Sequence, residues 1–263
     1  MKLSVNKRGS GEPLLMIHGI ISDGSFFDEA ANELAGSCSV ITYDRRGYGN
    51  SEADEEGHDY TVASQAEDAA EILREYASEK AWIFGNSAGG LIGVELAIRH
   101  PELVRGLVLL EPSLIFDDES RAMMAAWNGE LNNYVKENRI KQAMPAFSRM
   151  IDASSPERGR TPARSMTMAE MRMAYHNLTN FMYGELNEVQ TYFPDLETVK
   201  SVAVPACILV SEDGTESMFA KTSLAGASYL GWPVKKVPGN HNAVREESSA
   251  FADKLKSILE EWR

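Results

Sequence analysis

Gly85-Asn86-Ser87-Ala88-Gly89 stands between an apolar run, Ala81-Trp82-Ile83-Phe84, and a helical pattern from Ala88 to Arg99. A strand that turns into a helix within so few residues forces strained dihedrals on the residue at the apex. The positions two before and two after it must then be small, and both are glycine. The same turn points the serine hydroxyl away from the sheet and sets the next backbone N–H at a helix N-terminus. Gly-x-Ser-x-Gly alone is a common string. The strand before it and the helix after it favour a catalytic turn over a plain connection.

Around this turn, short apolar runs alternate with helical patterns, which predicts a parallel sheet with crossover helices. Leu14–Ile17, Val40–Tyr43, Ala81–Phe84, Leu107–Leu110, Ala206–Val210 and Val234–Val237 read as strands. Phe26–Leu34, Tyr60–Ala77, Ala88–Arg99, Met218–Leu230 and Ser248–Trp262 read as helices. In Tyr60–Ala77, residues Val62, Ala66, Ala69, Ala70, Leu73 and Tyr76 supply one apolar face. From about Ser113 to Lys200 the alternation breaks into helical stretches split by Pro145, Pro156, Pro162 and Pro194. Ser154–Arg164, rich in Ser, Arg and Pro, reads as a loop. The expected organisation is an α/β core over 1–112 and 201–263, with a helical lid or cap over 113–200. No internal repeat is visible.

The 263 residues suit one such domain with an insertion, and 43% hydrophobic with 25% charged residues is ordinary for a globular protein. A net charge of −13 argues against nucleic acid or an anionic membrane surface as partner. It does not imply a cationic substrate: the clusters Asp54-Glu55-Glu56, Asp117-Asp118-Glu119 and Glu246-Glu247 read as solvated loops or helix starts. Cys38 and Cys207 lie in or beside apolar segments and are expected as buried, reduced thiols. No Cys/His spacing suggests a metal. The absence of a signal-like start or a membrane-length apolar run makes a cytoplasmic location the expectation.

Four motifs in order carry a resemblance to a known family. His18-Gly19 follows a strand. Asp44-Arg45-Arg46-Gly47-Tyr48-Gly49-Asn50-Ser51 is similar to a D-x-R-G-x-G-x-S loop. Gly85–Gly89 forms the serine turn, and Gly239-Asn240-His241 follows the last strand. Together they resemble the α/β-hydrolase superfamily, specifically its compact, capped members. The resemblance implies a mostly parallel central sheet flanked by helices, with a helical cap at the catalytic edge. One strand's worth of chain precedes Leu14, so the family's first strand is expected to be absent.

A serine hydroxyl is a poor nucleophile near neutral pH and needs a base with a charge-stabilising partner. Ser87 is the expected nucleophile. His241, in a loop directly after a strand, is the expected base. Its rivals read otherwise: His18 shapes the oxyanion loop, His58 sits in an acidic loop, and His100 precedes a helix-ending proline. His176 lies on a cap helix. For the triad acid, most of the family uses an Asp after the penultimate strand, which here offers Ser211-Glu212-Asp213-Gly214. The family's G-x-x-D spacing is absent there. A subset of the family instead uses a Glu followed by Pro after the strand beyond the serine turn, and Glu111-Pro112 matches it. Glu111 is preferred, with Asp213 as the alternative. The family pattern implies an oxyanion hole from the backbone N–H groups of Ile20 and Ala88. Ser rather than Asp at the turn argues against haloalkane dehalogenases and epoxide hydrolases.

The insertion is rich in methionine (Met123, Met124, Met144, Met150, Met166, Met168, Met171, Met173, Met182), which suits an irregular apolar ligand. Most of these residues are expected simply to pack the cap. Met123, Trp127, Phe147, His176 and Phe181 are the candidates to line a substrate pocket. The expected activity is hydrolysis of a carboxylic ester or lactone of a small apolar substrate, without cofactor or metal. Carbon–carbon bond hydrolysis or acyl transfer by the same triad is the alternative, as is a ligand-binding sensor with slow turnover.

Overall fold

The computed structural model describes residues 1–53, 59–143 and 167–263. Expectations that fall on 54–58 and 144–166, among them His58, Phe147, Asp54-Glu55-Glu56 and the Ser154–Arg164 loop, lie outside the described residues. All the apolar runs read as strands are strands: β2 (Glu12–Ile17), β3 (Cys38–Tyr43), β4 (Ala81–Asn86), β5 (Val104–Leu110), β6 (Ala206–Ser211) and β7 (Val234–Val237). A further strand, β1 (Val5–Arg8), fills the stretch before Leu14. The sheet order is β1-β3-β2-β4-β5-β6-β7. Every pair is parallel except β1 with β3, so the sheet is mostly parallel, with one antiparallel edge.

Strand residues alternate between the two faces of the sheet, and both faces are covered by helices. On one face Leu15, Ile17, Ile41, Ile83, Leu107 and Leu109 pack under α2 (Val62–Tyr76) and α3 (Ala88–Arg99). On the other, Leu14, Met16, Val40, Phe84, Val108 and Leu209 pack under α1 (Asp28–Leu34) and the C-terminal helix, residues Ser248–Glu261. The intervening residues of β2 thus serve two cores at once, which explains why its sequence reads as an unbroken apolar run. The expected helix from Phe26 divides into a 3-10 turn (Gly24–Phe27) running into α1. Cys38 and Cys207 are both buried and free, and burial pushes both thiols up from their ordinary pKa.

Between β5 and β6 the described residues hold no strand. They comprise α4 (Asp118–Lys136), a short 3-10 turn (Ile140–Gln142), α5 (Met168–Asn180), a π-helical segment (Phe181–Glu185), α6 (Leu186–Thr191) and α7 (Leu196–Lys200). Helix α5 starts on a full capping box formed by Thr167 and Glu170. The run from α5 to α6 carries two stripes at helical spacing. Leu178, Phe181, Met182, Leu186 and Val189 form an apolar stripe that packs with Leu131 of α4. Asn177, Asn180, Glu185 and Glu188 form a polar stripe that ties the run to the core. Asn177 donates to Asp23 at 3.0 Å and accepts from the Gly49 N–H at 2.9 Å. Tyr60 donates to Asn180 at 2.5 Å, and the Val62 N–H to Glu188 at 2.8 Å. Helix α8 (Met218–Leu230) follows β6, and the four-residue helix α9 (Ala243–Glu246) leads into the C-terminal helix, α10. No helix among the described residues is long and apolar enough to cross a membrane.

Candidate active site

Ser87 sits between the end of β4 and the first residue of α3, with φ 53° and ψ −124°. Its N–H is held by the Leu110 carbonyl of β5 at 2.9 Å, and its own carbonyl accepts from the Gly90 N–H at 2.8 Å. The strain is over-determined by these bonds and by two close approaches. A Cβ on Gly85 would lie 2.6 Å from the Gly89 carbonyl oxygen, and one on Gly89 would lie 2.2 Å from the Ile17 carbonyl oxygen. The neighbours in both cases are backbone and cannot yield. Gly89→Ala is therefore expected to lose about 3 kcal/mol or more of stability in urea denaturation.

The carboxyl ends of β5, β6 and β7 bring Glu111, Ser211 and His241 together, on the same sheet edge where β4 runs into Ser87 and where open α/β sheets bind ligands. Glu111, directly after β5 and only 1% exposed, has φ 43°. Its Oε2 is 2.7 Å from His241 Nδ1, and its Oε1 accepts from both the N–H (2.9 Å) and the hydroxyl (2.5 Å) of Ser211. Burial alone would raise the Glu111 pKa. The hydrogen bond and charge of His241 and the two Ser211 donors outweigh it and hold the carboxyl below its ordinary value. With Nδ1 engaged, the lone pair of a neutral His241 is on Nε2. Phe219 of α8 lies flat on the imidazole, with ring centroids 3.9 Å apart and planes at 14°. Asp213, half-buried on the loop after β6, meets the histidine loop through its backbone N–H, which donates to Gly239 O at 3.0 Å. Of the two carboxylates weighed from sequence, Glu111 bonds the His241 ring through its side chain.

On the other side of the serine, the loop after β2 runs alongside the turn. A Cβ on Gly19 would stand 3.1 Å from the Ser87 Cβ, so Gly19 and Ser87 are packed together. His18 is fully buried, and burial first, then the Arg45 charge, hold it well below the usual histidine range. It is neutral near pH 7. Its Nε2 accepts from the Arg45 N–H at 3.0 Å, which leaves the proton on Nδ1 to donate to Gly19 O at 2.8 Å. Ile20 is half-buried beyond it, and Ala88 opens α3, where backbone N–H groups lack helical partners.

A family model described as "alpha/beta hydrolase fold" matches residues 12–192, more than half of the chain, including Ser87 and Glu111. The chain belongs to the α/β-hydrolase family. It is 28% identical over 257 residues to a Bacillus subtilis protein named uncharacterized hydrolase YraK, covering 96% of this chain and 90% of that one. A 2-(acetamidomethylene)succinate hydrolase of Mesorhizobium japonicum is 34% identical over 109 residues, 41% of this chain and 38% of that one. Among solved structures, the esterase EaEST of Exiguobacterium antarcticum superposes with TM-score 0.75 at 16% identity, covering 98% and 95% of the two chains. Est816, described as an N-acyl homoserine lactone degrading enzyme, superposes with TM-score 0.72 at 19% identity, covering 97% and 96%. At these identities the structures establish the α/β-hydrolase fold alone.

In this α/β-hydrolase the five inserted candidates part company. Phe181 is fully buried and Trp127 half-buried in one apolar cluster, which also contains Ile20 and Ala88. Met123 is half-buried on α4. His176 is exposed and lines a surface hollow with Tyr60, Asn180 and Tyr183. Phe147 lies outside the described residues. Of the methionines, Met168 and Met171 are exposed, while Met124 and Met182 are buried as packing. Among the described residues no cluster of three or more His, Cys, Asp or Glu side chains is placed to hold a metal ion. Sequence reasoning passed over Ser211 and Phe219. Ser211 had a visible signal, a small hydroxyl residue ending a buried strand where the family pattern has glycine. Phe219 reads as ordinary helix core.

Proposed function

We propose that this protein is a serine hydrolase that cleaves a carboxylic ester or lactone through an acyl-enzyme on Ser87. The observation that carries this reading is the buried His241–Glu111 pair at 2.7 Å, at the same sheet edge as a strained Ser87. Ser87 Oγ attacks the carbonyl carbon while His241 Nε2 takes the hydroxyl proton. The negative charge on the carbonyl oxygen is received by the N–H groups of Ala88 and Ile20. The intermediate collapses, the leaving alkoxide takes the proton from His241, and water repeats the sequence to release the acid. Glu111 stays ionised throughout and stabilises the imidazolium. The inserted helices act as a cap, and the apolar cluster joining Ile20, Ala88, Trp127 and Phe181 favours an apolar acyl group. The names of the esterase and lactone-degrading neighbours agree with this substrate class.

The test is intact-mass analysis after fluorophosphonate treatment, with turnover of p-nitrophenyl esters of increasing acyl length and of N-acyl homoserine lactones. A single adduct on Ser87 with turnover of either substrate set is expected. A folded wild type that neither labels nor turns over overturns the reading and leaves a binding protein of the same fold.

A further inference from the structure

Glu185 is a carboxylate only 1% exposed, in the π-helical segment of the inserted helices. It collects donors from three side chains. Arg45 bonds it through both terminal nitrogens, at 2.5 and 3.1 Å, Gln65 Nε2 bonds it at 2.9 Å, and the Tyr48 hydroxyl donates to Oε2. A charge so enclosed is tolerable only because it is paired and fully hydrogen-bonded. Burial alone would raise its pKa, and Arg45 with the other donors outweighs that and holds the carboxyl below its ordinary value. The guanidinium of Arg45, itself stacked 4.7 Å over the Tyr48 ring, also donates from Nη1 to Gln65 Oε1 and holds its Nε 3.5 Å from His18 Nδ1. Its Nη2 donates to Gly19 O at 3.0 Å, the same oxygen that accepts from His18 Nδ1 at 2.8 Å.

That oxygen belongs to the peptide whose N–H is on Ile20. A peptide unit is planar and trans, so its C=O and N–H point in opposite directions and rotate together. Two donors on Gly19 O therefore fix the direction of the Ile20 N–H, one residue beyond the Gly19–Ser87 contact. The next residue, Ile21, takes φ 58°, a conformation costly for a β-branched side chain, so this loop needs restraint. We propose that Glu185 is a positioning residue that, through Arg45, fixes the plane of the Gly19–Ile20 peptide and so aims the Ile20 N–H at the reacting carbonyl oxygen. This rests on the reading of Ile20 as an oxyanion donor. It makes the inserted helices part of the catalytic geometry as well as a cover for it.

Arg45→Lys and Glu185→Gln test it, with matched p-nitrophenyl ester and thionoester substrates. Sulfur is larger than oxygen and a weaker hydrogen-bond acceptor, so a well-aimed oxyanion hole prefers the oxygen ester strongly. The oxo-to-thiono ratio of kcat/KM is expected to fall about 10-fold in both variants, with the loss in kcat rather than KM. Arg45→Lys keeps a positive charge against Glu185 but loses the second nitrogen that reaches Gly19, so it serves alone should Glu185→Gln fail to fold. Asn180→Ala, which cuts a separate tether of the same helices, is expected to keep the wild-type ratio. An unchanged ratio in folded Arg45→Lys, or an equal fall in Asn180→Ala, overturns the proposal. A wild type with no ester turnover would sink the hydrolase reading instead. Amide deuterium exchange over residues 18–23 then decides: faster exchange in Arg45→Lys supports the coupling, and equal exchange overturns it.

Discussion

Ser87→Ala is expected to lower kcat/KM for an activated ester by about 10⁴-fold or more, with little change in stability. The size of the loss follows from chemistry that nothing nearby can replace. No other hydroxyl stands at the apex of the turn, and without it His241 can at best activate water. Alanine tolerates φ 53° about as poorly as serine does, and no side-chain bond of Ser87 caps α3. The fold therefore loses little, and thermal midpoints of wild type and variant should agree within a few degrees. Residual activity is expected because the proposed oxyanion donors are backbone groups that the substitution leaves in place. Stopped-flow or steady-state assays with p-nitrophenyl acetate check this, and activity within 10-fold of wild type would reassign the nucleophile.

Glu111→Gln is expected to lower kcat by about 10³–10⁴-fold, whereas Asp213→Asn should stay within about 3-fold of wild type. Glutamine fits the same space and can still accept from Ser211. Its amide, however, can offer an N–H to His241 Nδ1. That stabilises the tautomer with its proton on Nε2, which cannot serve as base. The imidazolium also loses its counter-charge. The pair of variants separates two carboxylates that sit on adjacent loops, so equal losses in both would refute the assignment. Stability carries a second signature. The Glu111 carboxyl is held below its ordinary 4.5 in the folded protein. Its contribution is therefore fully present above the unfolded value and disappears as pH falls through the folded one. The decline in thermal midpoint on the acid side should be shallower in Glu111→Gln than in wild type.

The inner parallel strands, β2 to β6, were legible because their residues are mostly buried and read as largely apolar runs, while the edge strand β7 carries two lysines. Helices Ala88–Arg99 and Met218–Leu230 begin and end where their patterns predict. β1 was not legible, because Val5-Asn6-Lys7-Arg8 is an edge strand whose middle two residues are exposed. The serine turn and the histidine loop announce themselves by local sequence. The choice between Glu111 and Asp213 does not, since Glu111 directly follows β5 and Asp213 follows the neighbouring β6 by two residues, both at the same sheet edge. Arg45 and Glu185 lie 140 residues apart and share no motif. One trace of the pair was present: Glu185 lies in sequence between the apolar residues Met182 and Leu186, beside the stripe they form. A carboxylate packed beside such a stripe calls for a buried cation.

The polar stripe of Asn177, Asn180, Glu185 and Glu188 bears on how members of this family can exchange parts. Insertions between β5 and β6 invite grafting, as a way to move substrate range from one relative to another. Here the graft has no clean seam. Among the described residues, the side chains of that stripe form their hydrogen bonds to residues between 23 and 65, on loops and a helix that come before the serine turn. A transplant of 113–200 alone would strand the Arg45 guanidinium in the interior without its counter-charge. The loss would be about 3–5 kcal/mol, comparable to much of the net stability of an ordinary domain. Recombination that preserves folding must carry the two distant segments together, as one inherited unit.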